Sequence, residues 1–462
     1  MVKQYHAVIC SFPGVGHVNA CLAVAERLVK SGHFEVSFVV NEKWKGRLEP
    51  YGVREVLLKG SDHNHQHQHS HNDGHNGNDG HHHHHNSHQT DDHKENHVVV
   101  AVENDDHNKT SDEDVLVKQT KKKSPLDKIL ENYKRSHNHL DMIVEIDKQL
   151  GEVLAKLKPD IIFQEVPTCI PSVVNYGVPW VNVLSMNPLF YLEDDRTPPL
   201  GSGLSKFDDK IEWKKFREAL SDVKRNAFKE FHKYLADNGV TDFESDKMTY
   251  QSKYLNIYGY PEELDYHELR PLPKTWYRFD NMMRLEKHVE AFEIPDKLKG
   301  KPGKLIFFSF GSMSCQESAC NVENMNRLLA ILAKSPNRFI VSMGPKHEDI
   351  RLADNMWGQP SIPQIQVLPL CDLAIIHGGN NTMTETVYFG KPMILLPQEG
   401  DQLDNAQRVQ DMGFGVRLDR NDCTENELLS TIDKLLADKQ LANKMKQISK
   451  RIQLDDNYVY LF

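Results

Sequence analysis

Apolar residues occur in short continuous runs, separated by stretches in which they recur every three or four positions. That alternation predicts strands buried on both faces with amphipathic helices between them. Residues 6–10 and 35–40 read as strands flanking a helix over about 19–30, a β-α-β opening. Ile129, Leu130, Tyr133, Leu140, Ile143, Val144 and Ile146 give helical spacing to 126–157. Ile161-Ile162-Phe163 and 180–184 are the next expected strands, 200–249 is charged and helical, and 260–273 is a proline-punctuated connector. A second series runs through 304–308, 338–343, 373–376 and 393–396. The economical reading is α/β, with two doubly wound domains. The expected bounds are 1–280 for the first domain, 281–302 for a linker and 303–445 for the second. A terminal segment, 446–462, is expected to pack back on the first.

One stretch breaks the pattern. Residues 61–97 hold fourteen of the 25 histidines and no hydrophobic residue, so burial cannot offset the entropy of ordering them, and 61–114 is expected to be a disordered insertion. It carries twelve acidic and two basic residues, which accounts for the whole net charge of −10. The rest of the chain is balanced and shows no basic stripe interleaved with aromatics, so no nucleic-acid partner is expected. The alternation His63, His65, His67, His69, His71 and the run 81–85 could chelate a borderline metal, but without fixed geometry the reading favours a tolerated loop. No apolar run approaches the ~18–20 residues of a membrane span. The apolar stretch 7–12 is too short for a signal peptide, and Cys10, Cys21, Cys169, Cys315, Cys320, Cys371 and Cys423 form a scattered set without a CxxC pair. A cytoplasmic protein with free thiols and no membrane anchor is expected.

Three loops following predicted strands carry candidate chemistry. In Ser11-Phe12-Pro13-Gly14-Val15-Gly16-His17-Val18-Asn19 the third glycine of a dinucleotide fingerprint is replaced by Asn19, which discounts a nicotinamide enzyme. His17 at a helix start reads either as a base, kept neutral by a helix terminus that lowers its pKa, or as a plain cap. His377-Gly378-Gly379-Asn380-Asn381-Thr382 precedes a helix whose free N–H groups suit an anion such as a diphosphate, and Glu385 lies one turn on, in reach of sugar hydroxyls. The alternative there is a glycine turn with a capped helix. In the third loop, Asp401 and Gln402 suit polyol recognition.

The run 377–405, with Phe310-Gly311-Ser312 and Pro363-Gln364, resembles the donor-binding signature of UDP-dependent glycosyltransferases, and similarity extends more weakly over most of the chain outside 61–114. The likeness is to soluble bacterial-type and arthropod xenobiotic-conjugating members. It implies a GT-B fold, two Rossmann-like domains facing a cleft. It also implies that His377, Gly379, Asn381 and Thr382 hold the diphosphate under a loop containing Ser309, Gly311 and Ser312. Glu385 would bind ribose, Asp401 and Gln402 the hexose, and Gln364 with the backbone of Ile362 the uracil. Ser361 departs from the family, in which many members stack an aromatic on the base; Trp357 lies four positions away.

By the same resemblance His17 is the general base and Glu165, where the family has Asp, its partner carboxylate; Asp141 and Asp160 compete for that role. The acceptor pocket is expected around Phe12, 167–171 and 186–191, with Phe12 and Met186 as contacts. The implied reaction is inverting transfer of a hexose, most simply glucose, from UDP-sugar to a hydroxyl of a small lipophilic acceptor such as a phenol, flavonoid or xenobiotic, with a detoxifying role. No metal and no cofactor are expected, because the one DxD-like motif, Asp112-Glu113-Asp114, falls in the acidic insertion. The rival reading is a non-catalytic protein on the same scaffold that binds UDP-sugar, or sequesters metal through its histidine tract.

Overall fold

The computed structural model describes residues 4–59, 123–135, 139–284, 291–311 and 319–454. The histidine-rich insertion, Ser312, Cys315 and the last eight residues lie outside them.

The expected alternation builds two all-parallel sheets. The first contains β1 (Tyr5–Ser11), β2 (Phe34–Asn41), β3 (Arg54–Leu58), β4 (Ile161–Glu165), β5 (Trp180–Leu184), β6 (Leu255–Gly259) and β7 (Trp276–Phe279), in the order 3-2-1-4-5-6-7. The second contains β8 (Leu305–Ser309), β9 (Arg338–Ser342), β10 (Met356–Gln359), β11 (Leu373–Ile376), β12 (Met393–Leu395) and β13 (Gly415–Arg417), in the order 10-9-8-11-12-13. The first lobe carries helices α1 (Val15–Ser31), α2 (Pro125–Arg135), α3 (His139–Leu157), α4 (Pro171–Val174), α5 (Leu189–Leu192) and α6 (Lys210–Asp237). The second carries α7 (Ala319–Leu332), α8 (Gln364–Val367), α9 (Asn380–Tyr388), α10 (Asp401–Asp411), α11 (Glu425–Ala437) and α12 (Lys439–Leu454). This is the two-domain Rossmann-like architecture of the GT-B fold.

The continuous apolar runs have a physical reason. Side chains of a strand alternate between faces, and here both faces are covered. Ala7 and Ile9 of β1 pack with Ala20, Ala25 and Leu28 of α1, whereas Val8 and Cys10 pack with Ile143, Leu150 and Leu154 of α3. A third cluster runs from Leu184, Tyr258, Tyr260 and Trp276 of the first lobe into Phe307, Ile375 and Leu395 of the second, so the lobes share buried apolar surface. Arg451 of α12 reaches back to the first lobe, pairing with Glu263 at 2.7 Å and Asp280 at 2.8 Å.

The pattern misses β3, β6, β7, β10 and β13. Asn256 interrupts the apolar run of β6, and it is buried because its side chain accepts from the Ser252 N–H at 2.8 Å and donates to the Ser252 carbonyl. β13 is three half-buried residues at a sheet edge. Helix α1 begins at Val15, four residues earlier than expected, which places His17 inside its first turn. The helical stretch 126–157 divides into α2 and α3. Among the described residues no helix is long and apolar enough to cross a membrane.

Candidate functional site

In each sheet the strand order reverses beside one central strand, and the loops leaving the carboxyl ends there diverge to open a crevice. In the first sheet this point lies between β1 and β4, where Ser11 is in register with Glu165. The chain leaves β1 through Phe12 and Pro13 and enters α1 at Val15, with Gly14 as N-cap. A Cβ at Gly14 would lie 2.8 Å from His17 Cδ2, so the glycine lets the imidazole fold back over the loop. His17 Nδ1 then sits 2.6 Å from Oε1 of Glu165, the last residue of β4. An ionised carboxylate only accepts, so Nδ1 carries the ring proton and Nε2 is left as the basic nitrogen. Glu165 is 2% exposed and His17 is 21% exposed, which leaves the ring accessible and its partner sealed.

The competing carboxylates stand elsewhere. Asp160, at the opposite edge of the sheet, accepts the His6 N–H at 2.8 Å, and Asp141 lies exposed on α3.

The electrostatics correct one expectation. Burial pushes the His17 pKa down, but the charge and hydrogen bond of Glu165, with the charge of Asp401, outweigh it and hold the imidazole above its ordinary value. A helix terminus alone would have lowered it.

Beside this pair opens a cavity of about 370 Å³, walled by Cys10, Phe12, Val39, Leu58, Ile146 and Leu150. Phe12 separates it from the imidazole, its ring centroid 5.0 Å from that of His17 in an edge-on arrangement. Met186 does not line this cavity; it packs on the apolar cluster shared by the lobes. Leu189, Phe190 and Tyr191 line a different cavity of about 360 Å³ beneath α6. The expected pocket is therefore divided: α3 supplies the wall beside Phe12, and the loop after β5 is spent on the lobe contact.

In the second sheet the reversal lies between β8 and β11, where Ser309 is in register with Ile376. His377 follows β11, and α9 begins three residues later with Gly379 as N-cap. The first helical bond runs from the Met383 N–H to the Gly379 carbonyl at 3.0 Å, so the N–H groups of Asn380, Asn381 and Thr382 have no intrahelical partner. Gly311, at φ +77°, and Gly379 both lie against the His377 ring, and a Cβ on either would collide with it. Burial and the neighbouring Arg420 push the His377 pKa down to about 4, so this ring is neutral. Arg420 is itself 2% exposed, sits 3.8 Å over the Phe310 ring and donates to Gln398 Oε1 at 2.6 Å. Ser309 turns its hydroxyl inward to accept the Gly311 N–H at 3.1 Å.

The remaining predicted residues line the same edge. Gln364, first residue of α8, donates to Glu385 of α9, joining the residues expected at base and ribose. Ile362 is half-buried and Ser361 exposed, while Trp357 packs on Phe292 at 5.8 Å. Thr382 is buried in the first turn of α9. The Asn381 side chain departs from the expected role: its Nδ2 donates across the crevice to the Gly16 carbonyl at 2.7 Å.

Helix α10 binds the first lobe along one stripe, since residues three and four apart share a face. Asp401 accepts the Asn187 N–H at 3.2 Å, and burial raises its carboxyl above the ordinary range. Asp404 accepts from Gly201 at 2.6 Å and Gly203 at 3.0 Å; burial pushes it up to about 8. Asn405 accepts from Asn187 Nδ2 at 2.8 Å and the Tyr260 hydroxyl at 3.0 Å, and donates to the Gly378 carbonyl at 2.9 Å. Arg408 donates to the Leu264 carbonyl at 2.7 Å and pairs with Glu268. Gln402, on the other side, accepts the Gln398 N–H at 3.1 Å.

Sequence reasoning missed Ser185, Arg420 and Asn405. Ser185 follows β5 as any loop serine might, but its Oγ donates to Glu165 Oε1 at 2.6 Å and lies 3.1 Å from His17 Nδ1.

Residues 284–456 match the family model described as UDP-glucoronosyl and UDP-glucosyl transferase. An uncharacterized UDP-glucosyltransferase, YojK, of Bacillus subtilis (strain 168) is 26% identical over 152 residues, 32% of this chain and 36% of the relative. UDP-glucosyltransferase 2 of Dactylopius coccus is 30% identical over 148 residues, 32% of this chain and 28% of the relative. The alignments thus span about a third of these curated relatives or less. The solved glycotransferase of kitacinnamycin covers 99% of this chain and 96% of its own at a TM-score of 0.65 and 16% identity, a likeness of fold. Residues 284–456 thus match the UDP-glycosyltransferase family model, and the two switch points lie in a fold like that of a solved glycosyltransferase.

Proposed function

We propose that the chain transfers a hexose from a UDP-sugar, most simply UDP-glucose, to the hydroxyl of a small lipophilic acceptor, with inversion at the anomeric carbon. The observation that carries this reading is the His17–Glu165 pair, with Nδ1 2.6 Å from the carboxylate, across from a helix N-terminus and next to Phe12, which lines an apolar cavity. His17 Nε2 takes the acceptor hydroxyl proton, the oxygen attacks the anomeric carbon, and the bond from that carbon to the diphosphate oxygen breaks, its electron pair leaving with UDP. Glu165 stabilises the imidazolium formed, as in a triad. The departing negative charge meets the N–H groups of Asn380, Asn381 and Thr382, neutral His377 and the field of Arg420. Asn381 contributes its backbone N–H, its side chain being spent on Gly16.

Gln364 with Ile362 would hold the uracil, Glu385 the ribose, and Asp401 with Gln402 the hexose, while the loop of Ser309, Gly311 and Ser312 closes over the diphosphate. Phe12 and the apolar cavity beside it would receive a phenolic, flavonoid or xenobiotic body, consistent with detoxification. Met186 would act at a distance, through the lobe contact.

The experiment is release of UDP from UDP-glucose across a panel of phenols. Acceptor-dependent release supports transfer; donor binding without release on any acceptor returns the reading to a binding protein. Retained activity in EDTA is expected, and its loss would contradict metal-free transfer.

A further inference from the structure

We infer that Ser185 is a third positioning residue of the transfer site, holding Glu165 against His17 and tying that pair to the second lobe through its own carbonyl. The inference rests on the function proposed above. Ser185 is 5% exposed at the end of β5. Its hydroxyl proton goes to Glu165 Oε1 at 2.6 Å, the same oxygen that faces the imidazole, and its oxygen lies 3.1 Å from His17 Nδ1. Three side chains from three elements, α1, β4 and the turn after β5, thus close a triangle in which two donors share one carboxylate oxygen.

A glutamate has one more rotatable bond than the aspartate whose place it takes, and so needs an additional hold. Oε2 of Glu165 has no hydrogen-bond partner among the described residues, so Ser185 is the group besides His17 that fixes the carboxylate. The backbone of the same serine is held from the other side. Asn380 Nδ2, at the start of α9, donates to the Ser185 carbonyl at 3.1 Å and to the Gly259 carbonyl at 3.2 Å. Seating the nucleotide-facing helix therefore also seats the serine that aims the base. The other ionisable neighbours of the pair are Asp401, the Cys21 thiol and the Tyr191 phenol; burial pushes the last two up, so both stay neutral.

The test is steady-state kinetics with UDP-glucose and a phenol over pH 5 to 9. Ser185→Ala should lower kcat by about tenfold to a hundredfold, the scale of a misplaced catalytic group, with the KM for UDP-glucose changed less than twofold. The acid limb should move to higher pH, because Oε1 no longer shares its charge with the hydroxyl. Ser185→Thr, which restores the donor, should recover most of the rate. An unchanged kcat, an acid limb that stays put or moves down, or a threonine variant as slow as the alanine one overturns the proposal. Asn380→Ala should lower kcat in the parent protein and have no further effect on it in the Ser185→Ala protein; additive losses overturn the tie between lobes. His17→Ala, assayed alongside, separates the levels: full turnover there defeats the base assignment itself, whereas an inactive His17→Ala beside a normal Ser185→Ala defeats the serine alone.

Discussion

Both lobes place a histidine at the point where their strand order reverses, and the two rings are held in opposite states. His17 faces two carboxylates, Glu165 and Asp401, and its pKa rises. His377 faces Arg420 and two glycines in the interior of its loop, and its pKa falls to about 4. In the proposed reaction the same side chain on the same topology serves as a base ready to gain a proton in one lobe and as a neutral donor in the other. Neighbouring charge makes the difference. A leaving diphosphate needs fixed donors that do not titrate, whereas a hydroxyl needs a group that does.

Exchanging or removing these environments should break the comparison in a graded way. His17→Ala should cost about 10² to 10⁴-fold in transfer to an unactivated phenol, the usual contribution of a positioned base, and leave UDP binding within twofold. Glu165→Gln keeps the shape but removes the charge. It should lower kcat by about a hundredfold, as for a misoriented group, and move the acid limb of kcat/KM down toward the ordinary imidazole value. In the second lobe, Gly311→Ala forces a side chain at φ +77° into the His377 ring. It should weaken UDP-glucose binding by about tenfold to a hundredfold, the worth of one or two charge-assisted hydrogen bonds, measured by calorimetry. The parent protein should lose transfer activity as pH falls through a value raised above that of an ordinary imidazole, because His17 must be neutral to accept a proton and its partners favour the charged form. The smallest effect is a null one: UDP-glucose affinity should change less than twofold between about pH 5.5 and 6.5, since His377, pushed down to about 4, and Asp404, pushed up to about 8, both stay neutral there.

The placement of both histidines could be read from the chain, but not the rise in the His17 pKa. The apolar runs ending in Ser11 and Ile376, each followed by glycines and a histidine, mark strand-to-helix loops at a sheet edge. Two parallel sheets followed from the alternation itself. What was not legible depends on distant segments meeting. The wall of the cavity beside Phe12 comes from α3, whose Ile146 and Leu150 look like any apolar helix face until that helix is laid over β1. Ser185 carries no local signal, because its partners lie 20 and 168 residues away. The polar stripe Asp401, Asp404, Asn405 and Arg408 has helical spacing, but it reads as a solvated face unless the first lobe is known to cover it. Arg420 follows an edge strand too short to be noticed, and its charge adds to the burial that keeps His377 neutral.

The division of labour between the lobes is tested most directly by following UDP release from UDP-glucose with a planar phenol, for the parent protein and for His17→Ala at equal donor saturation. The account predicts acceptor-dependent release by the parent and a loss of at least about a hundredfold in the variant while it still binds UDP. Equal rates from the two proteins would contradict it.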